Sequence, residues 1–342
     1  MVVLNKVVVC IEFTGTGKTS TLVALLQTLM HCNLRIHASA PTNVAVCELA
    51  RKTLAASKPT ISTGLVKNDP CRWRLADFLL VGTVSRLRVG DEDDPLSAIL
   101  LDARIERLEK TKRALIDALV GVRGIISSRK SIAEGKNEDM NTYAHAPNAH
   151  ASSVNIGQQL KIHLTNAVAC VDIVINEGPL KSSTGLSPVQ RAELQTLYAS
   201  LFDYPDATLD AWFHCILRDS VTCTKIEEEL SALCLLLKCI KIILPMSLKS
   251  MVTSEASIVF STVNVGGREL FNHVHFDVAV VDEATQLVQA ETAIVLRKNL
   301  RCLILAGDDK QLPSTVISQR CKSLGYDASL FSRLVELKVE TT

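Results

Sequence analysis

A run of small residues around Lys18 lies between an apolar segment at 7–11 and a helical pattern at 21–26. A strand, a glycine turn and a helix in this order are the context that a phosphate-binding loop needs. The pattern G-x-x-x-x-G-K-[ST] is met except at its first position, where Glu12 replaces glycine. Backbone N–H groups of such a turn and the helix N-terminus bind phosphate, so the segment predicts a nucleoside triphosphate site. The candidate binding residues are Gly15, Thr16, Gly17, Lys18, Thr19 and Ser20.

Two side chains of this segment have separate predicted tasks. Lys18 is predicted to reach the β- and γ-phosphates, and the hydroxyl of Thr19 is predicted to bind Mg²⁺. Glu12 adds a Cβ atom and a negative charge close to the triphosphate, and both changes are expected to weaken its binding.

Two adjacent carboxylates, Asp282 and Glu283, follow the apolar run 278–281. Open α/β sheets bind ligands at the carboxyl ends of their strands, which is where this pair is expected to lie. Asp282 is predicted to hold Mg²⁺ through its water shell, and Glu283 to orient and deprotonate an attacking water. Taken alone, the pair also fits the acidic start of a helix.

A third polar segment, AGDDKQLP at residues 306–313, again follows an apolar run. The side-chain amide of Gln311 is a candidate contact to the γ-phosphate or to the attacking water. Taken alone, the segment would be a turn, because Gly-Asp-Asp and Leu-Pro are ordinary turn sequences.

Small polar residues follow two further apolar runs, at 40–46 and at 261–262. Hydroxyl, amide and backbone N–H groups at the start of a helix suit a sugar-phosphate backbone. In isolation, the same residues fit simple helix caps. The candidate nucleic-acid contacts are Pro41, Thr42, Asn43, Ser261 and Thr262.

The elements around these segments alternate between strand and helix, which predicts a parallel sheet with helices on both faces. The pattern predicts helices at 18–31 and 43–54 and strands at 7–11, 34–40 and 78–83. It predicts further strands at 258–262, 276–281 and 302–307. Residues 1–90 and 250–342 are therefore predicted to form one α/β domain.

The intervening residues 91–249 have a helical pattern and are predicted to be an all-helical insertion at a surface loop. Asp94 is predicted to cap a long helix that Pro95 opens. Apolar seams at 101–126 and 226–240 predict a long antiparallel helical pair, and the polar stretch 131–155 predicts a flexible loop. Further helices are expected at about 157–175, 188–202 and 207–219.

The composition points to a globular protein of a reducing compartment, cytoplasm or nucleus. Of the 342 residues, 47% are apolar, and the net charge of +1 excludes a polycationic surface. Nucleic-acid binding would therefore use a local track. The 11 cysteines form no C-x-x-C pair. No apolar stretch is long and uncharged enough to predict a membrane span.

Taken together, the motifs resemble those of superfamily 1 helicases, in the branch that contains the nonsense-mediated-decay helicase and senataxin. The segment SLFSRL at 329–334 also resembles one that follows in that branch. The motifs that agree in order, spacing and identity lie at 15–19, 40–45, 260–262, 282–286 and 307–313. The helical insertion resembles the accessory subdomain on the family's first motor domain.

The resemblance implies a first RecA-like motor domain of an ATPase that uses ATP and Mg²⁺ and steps along single-stranded RNA or DNA. It assigns phosphate and Mg²⁺ binding to Lys18 and Thr19. Metal binding and water activation fall to Asp282 and Glu283. The residues that it implies for sensing the γ-phosphate are Gln286 and Gln311, and those along the strand are Thr42, Asn43 and Thr262.

The chain departs from the family at three places. Residues 12–14 read EFT where the family has Gly-Pro-Pro, and the glutamine motif expected upstream is missing. The chain ends where the second motor domain, which supplies arginine fingers, is expected to begin. That domain is expected in trans or in a longer chain. A non-catalytic module that binds nucleic acid or protein is the main alternative. A ring-forming AAA ATPase is disfavoured by the motifs at 282–286 and 307–313.

Overall fold

The computed structural model describes one part of the chain in detail. The described residues are 6–11, 17–57, 73–87, 89, 94–111, 113–114, 117, 120–121, 245–296, 300–308 and 313–337. The predicted loop 131–155, the second apolar seam and the three helices expected at 157–219 lie outside these residues. The antiparallel helical pair therefore stays a prediction.

A sheet of six parallel strands forms the centre of the described structure, in the order β1-β6-β5-β2-β4-β3. This arrangement, with helices packed against the sheet, confirms the predicted α/β class. The strands are β1 Lys6–Ile11, β2 Ile36–Ala40, β3 Phe78–Val81, β4 Ile258–Thr262, β5 Val278–Val281 and β6 Cys302–Gly307.

Strands from the two ends of the sequence interleave in this sheet. β2 pairs with β4 on one side and with β5 on the other, and β6 lies between β1 and β5. The chain divides into two compact units, of which the first comprises residues 1–61, 68–105 and 245–342. The exact limits predicted for the insertion stay a prediction.

Strands β2, β3, β4 and β5 are buried along their length because helices cover the sheet. Every residue of β2, β3, β4 and β5 is buried. Such strands read as continuous apolar runs, which is why their positions could be predicted from the sequence. β2 and β4 are exceptions in composition, since β2 carries His37 and Ser39 in the interior and β4 carries Ser261 and Thr262.

Two long helices follow β1 and β2. They are α1, Lys18–His31, and α2, Asn43–Ser57, and each buries an apolar stripe. The other helices are α3 Val84–Leu87, α4 Pro95–Ile99, α5 at residues 101–111, α6 Pro245–Glu255, α7 Val263–Gly266, α8 Gln289–Val295, α9 Gln319–Ser323 and α10 Leu330–Glu336. Short 3₁₀ turns are formed by Leu75–Asp77, Glu269–Phe271 and Ala284–Gln286.

The single long helix predicted to open at Pro95 is wrong, because the helix is interrupted at Leu100. Asp94 does cap α4, and its Oδ1 accepts a hydrogen bond from the backbone N–H of Leu96 at 3.0 Å. Leu100 then adopts an extended conformation, forms a bridge with Leu80 of β3 and is buried. The stability gained by burying the Leu100 side chain beside the edge strand exceeds the stability that one turn of continuous helix would add. Helical structure resumes at residue 101.

None of the helices in the described residues is both long and apolar enough to span a bilayer.

Candidate active site

The described site segments all lie at the carboxyl ends of parallel strands. Lys18 follows β1, Asp308 follows β6, Asp282 follows β5, Thr42 follows β2, and Thr262 ends β4. Because the strands are parallel, these ends meet at one edge of the sheet, where α/β folds bind ligands. The strand order places the predicted nucleotide residues at one side of this edge and the predicted nucleic-acid residues at the other.

An ion pair joins two of the predicted site residues. The Lys18 Nζ atom lies 2.8 Å from Asp282 Oδ1. The two side chains are only 18% and 7% exposed, so little water screens the pair. The first residue of α1 and the acidic turn after β5 are therefore brought together by the fold, although Lys18 and Asp282 are 264 residues apart in sequence.

The orientation of Asp282 is set by its own backbone and by the next residue. The backbone N–H of Asp282 donates to the carbonyl of Ser39 at 2.8 Å, which continues the pairing between β5 and β2. Asp282 Oδ1 accepts a hydrogen bond from the backbone N–H of Glu283, also at 2.8 Å. The carboxylate consequently has a fixed direction towards Lys18.

Glu283 occupies an unusual backbone conformation at the head of the acidic turn. Its φ of 52° and ψ of 39° lie in the left-handed region, which costs a residue with a Cβ atom about 1–3 kcal/mol. Burial raises the pKa of the Glu283 carboxyl above its ordinary value, and the neighbouring charge of Asp282 raises it further. Lys18 acts in the opposite direction. A carboxylate with a raised pKa is a better proton acceptor.

The start of α1 depends on Gly17, which is the residue before the first helical turn. Its φ is 96°, a left-handed value that favours glycine. Its carbonyl accepts the first helical hydrogen bond from the backbone N–H of Thr21 at 3.1 Å. Lys18 and Thr19 are half-buried, and Ser20 is exposed. Glu12, Gly15, Thr16 and Gln311 lie outside the described residues, and the roles assigned to them stay predictions.

A tightly packed group behind the acidic turn was missed by the sequence reasoning. A Cβ atom on Gly307 would lie 3.2 Å from Thr285 Cγ2 and 3.3 Å from Phe331 Cε2. Thr285 is buried, and its Oγ1 has no hydrogen-bond partner among the described residues. The backbone N–H of Gln286 donates to the carbonyl of Glu283 at 3.0 Å, which closes the turn. The glycine at the end of β6 was the available signal for this close approach.

The nucleic-acid candidates differ in how much of each side chain is available. Thr42 is exposed, and its Oγ1 accepts from the backbone N–H of Ala45 at 3.2 Å. Thr262 is buried and caps α7 through Val265 at 3.4 Å. The capping alternative is therefore observed for both threonines. The other two candidates in the first segment, Pro41 and Asn43, are partly exposed.

Ser261 points into the interior of the protein. Its side chain is fully buried, and its Oγ lies 2.8 Å from His37 Nε2. The His37 ring stacks on Phe276 with 5.1 Å between the ring centroids. In this structure, a direct contact from the Ser261 side chain to a bound strand is not available, because this group belongs to the core.

The residues predicted to hold Mg²⁺ are few. Within the described residues, no group of three or more histidine, cysteine, aspartate or glutamate side chains could hold a metal ion. Thr19 and Asp282 offer a hydroxyl and a carboxylate, the oxygen ligands that Mg²⁺ prefers. Mg²⁺ usually retains several waters and binds through one or two carboxylates plus substrate phosphates, so a small ligand set fits this ion.

Comparison with known families gives one extensive match. A family model described as an AAA domain, AAA_11, matches residues 9–319. The matched range includes the ion pair of Lys18 and Asp282, the acidic turn after β5 and the carboxyl ends of the strands.

Individual relatives match over shorter stretches. The probable helicase MAGATAMA 3 of Arabidopsis thaliana is 41% identical over 90 residues, which is 26% of this chain and 11% of the relative. The probable helicase senataxin of Homo sapiens is 38% identical over 106 residues, 28% of this chain and 4% of the relative. The DNA-binding protein SMUBP-2 of Mesocricetus auratus is 48% identical over 71 residues, 21% of this chain and 7% of the relative. The matches thus span a small part of each relative's length.

Proposed function

The chain belongs to the AAA domain family matched over residues 9–319, as a senataxin-like motor domain of superfamily 1 helicases, and from this premise we propose how it works. It is the ATP-binding lobe of a nucleic-acid-dependent ATPase that couples hydrolysis to movement on single-stranded RNA or DNA. The observation that carries the proposal is the buried pair of Lys18 and Asp282 beside Glu283 at the sheet edge.

In this proposal, Lys18 exchanges one anionic partner for another. Without nucleotide its ammonium group is balanced by Asp282 at 2.8 Å. With nucleotide bound, the ammonium group would face the β- and γ-phosphates, and Asp282 and Thr19 would hold Mg²⁺. The metal supplies charge neutralisation to the phosphates. The pair therefore keeps both side chains in position before the substrate arrives.

Glu283 is the proposed proton acceptor for the attacking water. Burial raises the pKa of its carboxyl, which increases its basicity, and its backbone has the left-handed conformation. Gln286 and Gln311 are proposed to sense the γ-phosphate. Gln286 belongs to the same short turn as Glu283, so a shift of either residue is transmitted to the other.

The nucleic-acid partner is proposed to lie across the ends of β2 and β4. Thr42, Asn43 and the backbone at Thr262 offer polar groups to a sugar-phosphate backbone, which carries no base specificity. The names of the helicase relatives and of the DNA-binding relative support this assignment. A second motor domain, in trans or in a longer chain, completes the ATP cleft. The proposed location is the cytoplasm or the nucleus.

A non-catalytic module that binds nucleic acid or protein is the second candidate function. Glu12 favours it, because a negative charge in place of the first loop glycine opposes a triphosphate.

Binding of a fluorescent ATP analogue with Mg²⁺, followed by ATPase assays with and without single-stranded RNA or DNA, tests the proposal. Lys18→Ala is expected to weaken nucleotide binding about 10- to 100-fold, because a hydrogen bond between charged groups is lost. Lys249→Ala is the control, because this exposed lysine pairs with Asp102 on the surface. Glu12→Gly is expected to strengthen binding.

The outcomes separate the two candidates. Hydrolysis that nucleic acid stimulates and that Lys18→Ala abolishes excludes the non-catalytic module. Nucleotide binding that is equal in the wild type and in Lys18→Ala contradicts the proposed ATP site. Hydrolysis only in Glu12→Gly shows that the ancestral site is intact and that Glu12 silences it.

A further inference from the structure

We propose that His37, in the interior of β2, is a positioning residue for nucleic-acid binding, and that it acts through Ser261 on the end of β4 and on α7. The inference rests on the proposed function, because it assigns a support behind the backbone at Thr262. His37 belongs to none of the motifs above. Its side chain is 1% exposed, so it acts from behind the surface and does not itself touch a bound strand.

Among the four strands whose residues are all buried, polar side chains occur in two. β3 reads FLLV and β5 reads VAVV, whereas β2 carries His37 and Ser39 and β4 carries Ser261 and Thr262. β2 and β4 are also the strands whose carboxyl ends carry the proposed nucleic-acid residues. A buried polar group lowers stability unless it is hydrogen-bonded, and an apolar side chain would fill the same space without that requirement. The imidazole is therefore expected to have a role besides filling the core.

A chain of hydrogen bonds runs from His37 to the end of β4. His37 is paired with Val259, and Ser261 lies two residues further on the same face of the sheet, within reach of a long side chain. Ser261 Oγ donates to the Thr262 carbonyl oxygen at 3.1 Å. Because a hydroxyl group has one hydrogen, His37 Nε2 is the donor to Ser261 Oγ, at 2.8 Å. The imidazole thus fixes the Ser261 hydroxyl, which in turn holds the Thr262 carbonyl.

The direction of the Thr262 peptide group determines how α7 begins. Thr262 has an extended backbone, and its Oγ1 accepts a hydrogen bond from the backbone N–H of Val265 at 3.4 Å. The backbone at Thr262 is also the part of β4 that is proposed to face the strand. A rotation of this peptide group would therefore change both the start of α7 and the polar groups that the end of β4 offers.

His37 contacts the other end of α7 as well. A Cβ atom on Gly266, the last residue of α7, would lie 2.8 Å from His37 Cε1. The imidazole ring also stacks on Phe276 and packs against Phe271, with 5.1 and 5.5 Å between the ring centroids. The ring is therefore held in one orientation, and α7 is supported at its first and at its last residue.

The acidic turn on the other side of β2 is held by different groups. The backbone N–H of Asp282 donates to the Ser39 carbonyl, and Ser39 Oγ donates to the Val280 carbonyl at 3.4 Å. Asp282 is further paired with Lys18. None of these bonds involves the His37 imidazole. Substitution of His37 is therefore expected to affect nucleic-acid binding and to leave nucleotide binding unchanged.

Fluorescence anisotropy of a labelled single-stranded oligonucleotide with the 342-residue chain, in buffer of low ionic strength, tests the positioning role. Binding of a fluorescent ATP analogue with Mg²⁺ is measured in parallel. His37→Leu removes the hydrogen-bond donor and keeps a side chain of similar size. It is expected to weaken oligonucleotide binding about 3- to 10-fold, the range that the loss of one hydrogen bond produces. Binding of the ATP analogue is expected to stay the same.

Two further variants distinguish the hydrogen bond from the packing of the ring. His37→Gln can still donate to Ser261 through its side-chain amide, and it is expected to restore most of the affinity. Ser261→Ala removes the acceptor and is expected to lower the affinity by the same factor as His37→Leu. Because both substitutions remove one bond, the double variant should lose no more affinity than either single variant.

Val259→Ala is the matched control. Val259 is fully buried in β4 and is paired with His37, and its truncation lowers stability without removing a polar group. Urea denaturation identifies conditions under which each variant is folded, and oligonucleotide binding is compared under those conditions. A loss of affinity in Val259→Ala as large as that in His37→Leu would indicate general loosening of β4 and would overturn the inference.

The other outcomes separate the inference from the proposed function. Wild-type affinity in folded His37→Leu and Ser261→Ala overturns the inference and leaves the proposed function intact. Equal losses in His37→Gln and His37→Leu also overturn it, because they would show that the ring acts by packing alone. A wild-type chain that binds the ATP analogue but no oligonucleotide overturns the proposed nucleic-acid binding and the inference with it.

Discussion

Gly307 shows how one missing side chain supports the acidic turn. It ends β6 in close contact with Thr285 and Phe331, and Thr285 is two residues after Glu283. A Cβ atom here would lie 3.3 Å from the backbone nitrogen of Thr285, which is less free to move than a side-chain end. The site therefore needs glycine for a close approach of two chain segments.

Gly307→Ala is expected to lower stability by about 1–3 kcal/mol, the usual cost of overpacking. Because the displaced turn carries Glu283, we expect a greater loss in kcat than in nucleotide affinity. Urea denaturation and steady-state ATPase kinetics measure both effects. Gly267→Ala is the control, since its added Cβ atom would lie 3.1 Å from the Ile294 side chain and at an ordinary contact distance of 3.5 Å from the Asn264 carbonyl oxygen. A kcat loss as large in Gly267→Ala would contradict a specific role for the Gly307 contact.

Glu283 is expected to set the acid side of the ATPase pH profile. Its pKa is raised above 4.5, chiefly by burial, so the basic form is lost at a higher pH than for an ordinary glutamate. Activity should therefore rise with pH through a value above 4.5. The folded state binds this proton more tightly than the unfolded state, so the Glu283 contribution to stability falls as pH rises from the unfolded to the folded pKa.

Two measurements check this assignment. Glu283→Gln is expected to reduce kcat strongly, with nucleotide binding retained. The same variant should also lose the part of the pH dependence of stability that comes from titration of Glu283, as measured by urea denaturation at several pH values. If the ATPase activity that remains in Glu283→Gln keeps the same acid side of its pH profile, a residue other than Glu283 is the proton acceptor.

At the scale of elements, α4 is a short helix whose start is determined by its capping residue and whose end is determined by tertiary packing. Asp94 Oδ1 accepts from the Leu96 backbone N–H, and Oδ2 lies 3.0 Å from Arg51 Nη2 on α2. Pro95 occupies the first helical turn, as proline favours. Leu100 then leaves the helix to pack beside β3.

Asp94→Ala is expected to cost about 1 kcal/mol, mostly through the lost cap. The ion pair adds little, because Arg51 is half exposed to solvent. Asp94→Asn keeps the capping oxygen and should restore most of the stability. Thermal and urea denaturation measure these differences. An equal loss in both variants would show that the charge, and not the cap, carries the effect.

At the scale of the whole molecule, the interleaved sheet makes both ends of the sequence parts of one structure. β4 lies between β2 and β3, although more than 170 residues separate β3 from β4 in the chain. Phe260 in the middle of β4 is fully buried. Its loss removes packing from strands that come from both ends of the sequence.

Phe260→Ala is expected to destabilise the lobe by about 3–5 kcal/mol, the usual cost of removing a buried phenylalanine side chain. Hydrogen exchange should show β2, β3 and β5 losing protection together with β4, because the sheet unfolds as one unit. Phe331→Leu is a milder comparison, since leucine keeps most of the buried volume. Loss of protection confined to β4 would contradict a single cooperative sheet.

Local patterns in the sequence were sufficient to locate the strands, the start of α1, the acidic turn and the family. These features depend on continuous apolar runs, on glycine and proline in turns, and on residue types suited to phosphate. All of them are set by neighbours in the chain. Lys18 and Asp282 could be assigned to one site before their distance was known, because parallel strands end at a common edge.

Long-range packing was needed for the rest. The strand order, the break at Leu100, the inward direction of Ser261 and the contact between Gly307 and Thr285 all depend on residues far apart in sequence. A local pattern cannot specify them, because a serine at a strand end or a leucine in a helical seam gains or loses stability according to its neighbours in space.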